Sequence, residues 1–219
     1  MQLSKETLTL IENFSTINGS LLIKPGSKIT TIAESKNVVA DVTVTETFPV
    51  EFGIYDLKEF LGVVSLFANP TFDFSEKFVV VSDGGKSRIK YFGAGEGVVK
   101  SAPATIKFPS SDVEFELTAP QLVMIKRTAA ALRANDLSIV GSDGELKLAV
   151  ADKKNDTSNA YEVVIGTTDD TFKANLQVDN LKMLPGDYSV SISKKRISKF
   201  VSKSSDLTYF VAIESDSEF

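Results

Sequence analysis

Most hydrolytic, thiol and zinc chemistry rests on His or Cys, and this sequence contains neither, nor any Trp. Ser-His-Asp catalysis, thiol nucleophiles, disulfides and the usual zinc sites are thereby excluded. The lack of Cys also suits a reducing compartment. Carboxylates, Lys, Tyr and Ser remain, and a reaction would need them in a specific cluster, which the sequence does not offer. Gly93-Ala94-Gly95-Glu96-Gly97 has the composition of a phosphate-cradling loop, but no helix pattern follows it and no Lys-Ser/Thr completes a nucleotide motif, so it reads as a flexible connection. Glu214-Ser215-Asp216-Ser217-Glu218-Phe219 is acidic without the Gly-centred spacing of a calcium loop and reads as a solvated tail, and Asp169-Asp170 as a polar turn. Ser193-Lys194-Lys195-Arg196 is the densest basic run and reads as a solvated hairpin tip, with phosphate contact as its second reading. The expected chemistry is binding without catalysis, with no metal and no cofactor.

The remaining cations have a more suggestive distribution. Ser4, Asp56, Thr118 and Asp179, each suited to a helix N-cap, precede short amphipathic segments at intervals of roughly 50 to 60 residues. Asp56 with Glu59 and Thr118 with Gln121 have capping-box spacing, and Pro120 falls in a first turn, where Pro is tolerated. Apolar residues then recur every three or four positions: Leu8, Ile11 and Phe14; Leu57, Phe60, Leu61 and Val64; Leu122, Ile125, Ala129 and Leu132. The fourth helix is short and ends at Pro185-Gly186. Lys5, Lys58, Lys126, Arg127, Arg133 and Lys182 are spread over all four, with Arg127 nearly opposite the apolar face of its helix. Four such helices on one surface would make that surface basic, although ordinary solvated helix faces would look the same.

Between the helices, Val38 to Val44, Phe78 to Val81, Leu146 to Val150, Tyr161 to Ile165, Tyr188 to Ile192 and Thr208 to Ile213 read as strands. Asp83-Gly84 and Asp143-Gly144 read as hairpin turns, because Asp-Gly supplies the positive φ that tight turns require. The fold class is α+β with mainly antiparallel sheets. Gly93 to Ser111, rich in Gly, Pro and Ser, divides the chain, and each half holds two helix-plus-strands units. The expected domains are 1–102 and 112–219, joined by a linker over 103–111. The length of 219 residues is enough for two cores, and no apolar run approaches the roughly 20 residues that span a bilayer. Neither a membrane helix nor a secretory signal is expected at this N-terminus. Net charge is -5, so bulk attraction cannot hold nucleic acid and local placement of Lys and Arg has to.

Several fragments, in order along the chain, resemble the sliding clamps of T-even-type bacteriophages. They are Leu3-Ser4-Lys5, Asn13-Phe14 and Thr16-Ile17-Asn18; Ile54-Tyr55-Asp56-Leu57 with Phe60-Leu61-Gly62 and Ser65-Leu66; Lys182-Met183 with Pro185-Gly186 and Tyr188; and Val211-Ala212 with Glu214 and Asp216. Residues 69–112 are the least alike. The resemblance implies two clamp domains per chain, two helices per domain lining a ring, sheets outside, and a head-to-tail homotrimer around duplex DNA that tethers the replicative DNA polymerase. It assigns the DNA-facing role to Lys5, Lys58, Lys126, Arg127, Arg133 and Lys182, with Glu12 a departure where the related clamp is basic. It places Ile32, Val38, Ala212 and Ile213 near a groove for partner peptides; core strand residues would look the same. Edge-strand pairing between subunits would use Arg88, Ile89, Lys90, Tyr91 and Phe92 on one side, and Ala160, Tyr161, Glu162, Val163, Val164 and Ile165 on the other. Further implied partners are a clamp-loading ATPase complex and late-transcription factors, in the cytoplasm of an infected bacterial host. The competing expectation is a non-enzymatic phage structural or assembly protein with two β-rich domains.

Overall fold

The computed structural model describes residues 1–95, 97–100, 102–103, 106–155 and 157–219, so Glu96 of the glycine-rich run and Ala104 and Thr105 of the expected linker lie outside the described residues. The chain divides into two units, Met1–Ile106 and Lys107–Phe219.

The first unit begins with α1 (Lys5–Ser15), opened by the Ser4 hydroxyl, which accepts from the Thr7 amide at 3.1 Å. Such a cap stabilises a helix by about 1 kcal/mol. Strands β1 (Leu21–Ile23), β2 (Gly26–Ile32), β3 (Val38–Phe48) and β4 (Phe52–Ile54) follow, β2 pairing antiparallel with β3 and β1 with β4. Next comes α2 (Leu57–Ser65), whose cap Asp56 accepts from the Glu59 amide at 2.9 Å. The expected reciprocal half of that capping box, from the Glu59 side chain, does not form. The unit ends in the antiparallel sheet β5 (Thr71–Phe74), β6 (Phe78–Ser82) and β7 (Arg88–Phe92), in that order. Helix α1 buries Thr7, Leu10, Ile11 and Phe14, and packs beside α2 and against β3. Leu8 and Leu61, expected in the core, are only half-buried, because Thr7 and Leu10 take the inward positions on α1.

The glycine-rich run is not loose where it starts. Gly93 and Ala94 amides donate to the carbonyls of Lys77 and Gly53, at 2.9 and 2.8 Å. A Cβ at Gly93 would lie 2.7 Å from the Phe52 ring, so only Gly fits there.

The second unit comprises β8 (Val113–Leu117), α3 (Ala119–Leu132), β9 (Asp136–Ser142), β10 (Glu145–Ala151), β11 (Tyr161–Thr167), β12 (Phe172–Gln177), a 3-10 turn at Val178–Asn180, β13 (Tyr188–Ser193), β14 (Ile197–Ser202) and β15 (Leu207–Ala212). One antiparallel sheet runs β11-β10-β9-β12, and a second joins β15, β14, β13 and β8. Thr118 and Gln121 form the expected capping box of α3, which buries Leu122, Ile125 and Ala129 and packs on β10. Leu132 is half-buried in the last turn. Asp143 and Gly144, at φ 54 and 80, make the two-residue turn between β9 and β10.

One expectation fails here. The fourth helix is a single 3-10 turn, Val178–Asn180, without a side-chain cap, so the described residues of the second unit hold one α-helix instead of two. With Pro185 only a few residues on, too little chain remains to nucleate a helix. The acidic tail is exposed at Ser215, Asp216, Glu218 and Phe219, in line with a solvated tail, but it is tied down. It runs along β12, where Lys173 and Glu218 exchange two backbone hydrogen bonds of 2.9 Å and the Glu214 amide donates to the Asn175 carbonyl at 2.8 Å. Lys153 ties Asp216 at 2.9 Å and Asp136 at 3.4 Å, and Phe219 stacks on Phe172 with ring centroids 6.2 Å apart. The Lys153 hydrogen bond holds the Asp216 carboxyl below its ordinary pKa, against a smaller upward pull from burial.

Candidate nucleic-acid interface and subunit edges

Lys5 and Lys58 are exposed on α1 and α2. Carboxylates accompany them: Glu6 and Glu12 are exposed on α1, and Asp56 and Glu59 on the first turn of α2. The helix face of the first unit is therefore not cationic. Beside it, a groove of about 580 Å³ is lined by Leu3, Leu8, Leu61, Val64 and Phe67, together with Lys5 and Glu12.

A further carboxylate sits at the start of α1. Glu46, on β3, accepts from the Ser4 amide and from the Thr7 hydroxyl, the latter at 2.7 Å. Burial pulls its pKa up, but the hydrogen bonds from Ser4 and Thr7 outweigh this and leave the carboxyl below its ordinary 4.5. A lowered folded-state pKa means a contribution present above the unfolded value and lost as pH falls through the folded one. In paired thermal melts, Glu46→Gln is expected to be less stable than the parent near neutrality, with the gap closing once pH drops well below 4.5. A gap that persists unchanged in acid would show that ionisation of Glu46 does not anchor α1.

In the second unit Arg127 is exposed on α3 among Val123, Met124, Ala130 and Ala131, which are exposed as well. Arg133 caps the same helix in the left-handed region, at φ 54 and ψ 36, and is exposed. Lys126 is half-buried, and its ammonium donates to the Met183 carbonyl at 3.1 Å. Burial lowers its pKa, and the neighbouring charge of Lys182 adds to the effect. Lys182 is half-buried and lies past the 3-10 turn, outside any helix. Two tyrosines hold this irregular segment: the Tyr188 hydroxyl donates to the Leu184 carbonyl at 2.7 Å, and the Tyr209 hydroxyl accepts from the Leu184 amide at 3.2 Å. Burial raises the pKa of both phenols, with Tyr209 pushed up to about 12.

Of the expected groove residues, Ile32 and Val38 lie at one end of the β2–β3 hairpin, where Ile32 pairs with Val39 and the Ala33 amide donates to the Val38 carbonyl at 2.9 Å. Ile32 is half-buried and its carbonyl accepts from the Asn18 side chain at 2.8 Å. Ala212 is half-buried opposite Ile197, and the Ile213 amide donates to the Arg196 carbonyl at 3.1 Å. Val38 and Ile213 are buried and pack as core residues. Arg196 belongs to the hairpin tip at 194–196, whose three cations are exposed.

The clearest feature lies at the sheet edges. Both β7 and β11 are terminal strands, and among the described residues nothing pairs with their outer sides. The opposite edges of the same sheets are covered: Met1 and Phe72 bond across β5, reinforced by the Gln2–Thr71 bridge, and residues 214–218 cover β12. Arg88, Lys90 and Phe92 alternate outward on β7, with Ile89 and Tyr91 on the other face. On β11, Glu162 and Val164 point outward, with Tyr161, Val163 and Ile165 on the other face and Ala160 exposed just before the strand. Phe92 and Val164 are 66% and 53% exposed, which is unusual for such side chains. One bare edge is basic and the other carries Glu162, so the two are complementary.

Comparison with known proteins bears on the fold and the family. Residues 114–215 match the family described as "gp45 sliding clamp, C terminal", and residues 4–74 match "DNA polymerase processivity factor". The sliding clamp of Vibrio phage KVP40 is 34% identical, over 98% of this chain and 99% of that one. The sliding clamp of Enterobacteria phage T4 is 29% identical, over 99% and 98%. Among solved structures, the proliferating cellular nuclear antigen of Entamoeba histolytica superposes with a TM-score of 0.70 at 13% identity, covering 95% of this chain and 94% of that one. The C-terminal region of FEN-1 bound to PCNA of A. fulgidus gives a TM-score of 0.67 at 11% identity, covering 95% of each chain. These structural likenesses show the fold, and the near-full-length identity to the phage proteins shows the family: the chain belongs to the sliding clamps, the DNA polymerase processivity factors of T4-like phages.

Proposed function

We propose that three copies of the chain join head to tail, β7 of one against β11 of the next, and close a ring around duplex DNA that tethers a replicative DNA polymerase. The observation that carries this reading is the pair of bare, complementary edges, one in each unit, in sheets whose other edges are covered. A heterologous contact of this kind closes into a ring when its rotation permits, and each strand pair satisfies backbone groups that are otherwise left to solvent. A ring remains on DNA by topology, so diffuse phosphate contacts are enough and leave it free to slide. Tethering raises the local concentration of the polymerase at the primer end. Nothing in this mechanism requires the clamp to make or break a bond.

A partner peptide is expected to bind the chain, by analogy with the FEN-1 segment bound to A. fulgidus PCNA, with the half-buried Ala212 as its contact in the second unit. A clamp-loading ATPase and late-transcription factors complete the proposed partners, in the cytoplasm of the infected bacterium. Light scattering on purified protein tests the assembly: a mass of three chains is expected, and a strict monomer at micromolar concentration would overturn the ring.

Arg127→Glu is expected to fold normally, because the side chain is exposed, and to lower loader-dependent stimulation of the polymerase by roughly threefold or more through a like charge beside phosphate. Undiminished stimulation would remove Arg127 from the interface.

A further inference from the structure

Resting on that ring reading, we infer that the two units divide the work of holding DNA: α3 and the segment after it in the second unit grip phosphate, while α1 and α2 in the first unit form a wall that the duplex passes without attractive contact. The charges carry the inference. On α1, α2 and their caps, Lys5 and Lys58 stand against Glu6, Glu12, Asp56 and Glu59. On α3, its cap and residues 178–187, Lys126, Arg127, Arg133 and Lys182 stand against Asp179 and Asp187. The first face carries an excess of carboxylate; on the second, exposed Arg127 and Arg133 balance Asp179 and Asp187, and the half-buried Lys126 and Lys182 give it its excess of cation. Screening falls off over about 8 Å at physiological salt, so Glu6 and Glu59, each next in sequence to the lysine in question, cancel most of the field of Lys5 and Lys58.

One further feature points the same way. Arg133 sits in the left-handed conformation that a helix end normally gives to Gly. A cation held there at a conformational cost, with Arg127 exposed among apolar and Ala side chains and without an ion pair among the described residues, suits a role in contacting anions. The ring would then present gripping and passive faces alternately. Fewer phosphates are engaged at any moment than a uniformly basic lining would hold, which lowers friction during sliding.

Single-molecule tracking of clamps loaded on DNA, over a salt series, tests this directly. Arg127→Glu with Arg133→Glu is expected to raise the one-dimensional diffusion coefficient by about threefold or more and to flatten its salt dependence, because phosphate contacts are the salt-sensitive term. Lys5→Glu with Lys58→Glu is expected to stay within about 1.5-fold of the parent. Glu12→Lys, which adds a cation to the passive wall, is expected to slow diffusion. Equal responses of the two double variants would overturn the division of labour while leaving the helix-lined ring intact. No response from either, in rings that load normally, would overturn both, by showing that the helices do not face DNA. Should the Glu variants load poorly, Arg133→Gly serves in their place, since it removes the charge and relaxes the backbone: faster diffusion with an undiminished melting temperature supports the inference, and unchanged diffusion counts against it.

Discussion

A chain carrying Phe92→Glu is expected to sediment as a monomer at concentrations where the parent sediments as a trimer, and to lose polymerase stimulation while keeping its melting temperature within a few degrees. Phe92 is 66% exposed at the end of β7, so the isolated unit gives up little beyond an edge-to-face contact with Phe78 at 6.0 Å. In the proposed joint the same ring would cover apolar surface next to Val164 of the neighbouring β11. Truncating a buried aromatic anchor typically costs an interface about 2 kcal/mol or more. The new carboxylate adds repulsion from Glu162. A loss of that size weakens each joint by roughly thirtyfold, and a ring has to close every joint at once. A trimer that survives Phe92→Glu would place the subunit contact elsewhere.

The second large effect is on folding. Gly141 lies in β9 beside Phe172, and a Cβ built there would meet the Asp170 carbonyl oxygen at 2.5 Å and the Phe172 ring at 2.5 Å. Neither can retreat easily, because one is backbone and the other is a buried ring held between β9 and Phe219. Gly141→Ala is therefore expected to destabilise the second unit by about 2 to 3 kcal/mol, the usual penalty for overpacking a core. Chemical denaturation followed by Phe and Tyr signals measures it, and a loss below about 0.5 kcal/mol would mean that the strand moves aside freely. Ring assembly should suffer as well, since β9 and β10 carry the β11 edge.

Some of this architecture is written locally. Ser4, Asp56 and Thr118 start helices because their oxygens reach amides three residues on. Asp143-Gly144 turns the chain because both residues accept positive φ. The alternation in Arg88–Phe92 and Tyr161–Thr167 marks two strands, and each proves to be a terminal strand of its sheet. Other strands hide. β9 reads Asp-Leu-Ser-Ile-Val-Gly-Ser, and its Asp136 and Ser138 look like loop residues until Lys153 and the Asn175 side chain are seen to receive them, at 3.4 and 2.7 Å. The docking of the exposed acidic tail is hidden for the same reason, since the groups that hold it, Lys153, Lys173 and Asn175, are far away in sequence. The cap-like Asp179 suggests a fourth helix, but a cap cannot nucleate a helix in a segment with so few helical residues.

The sequence by itself therefore determined what depends on neighbours within a turn or two: the helix starts, the tight turns, the absence of thiol and imidazole chemistry, and the ordered fragments that mark the clamp family. Tertiary structure decided which sheet edges are covered and which are bare, that Lys126 is tied to a carbonyl instead of facing outward, and that the first unit's helix face exposes more acid than base. The reason is physical reach. Caps and turns close over a few residues, whereas edge pairing and the net charge of a surface are set by groups that only folding brings within hydrogen-bond or screening distance of one another.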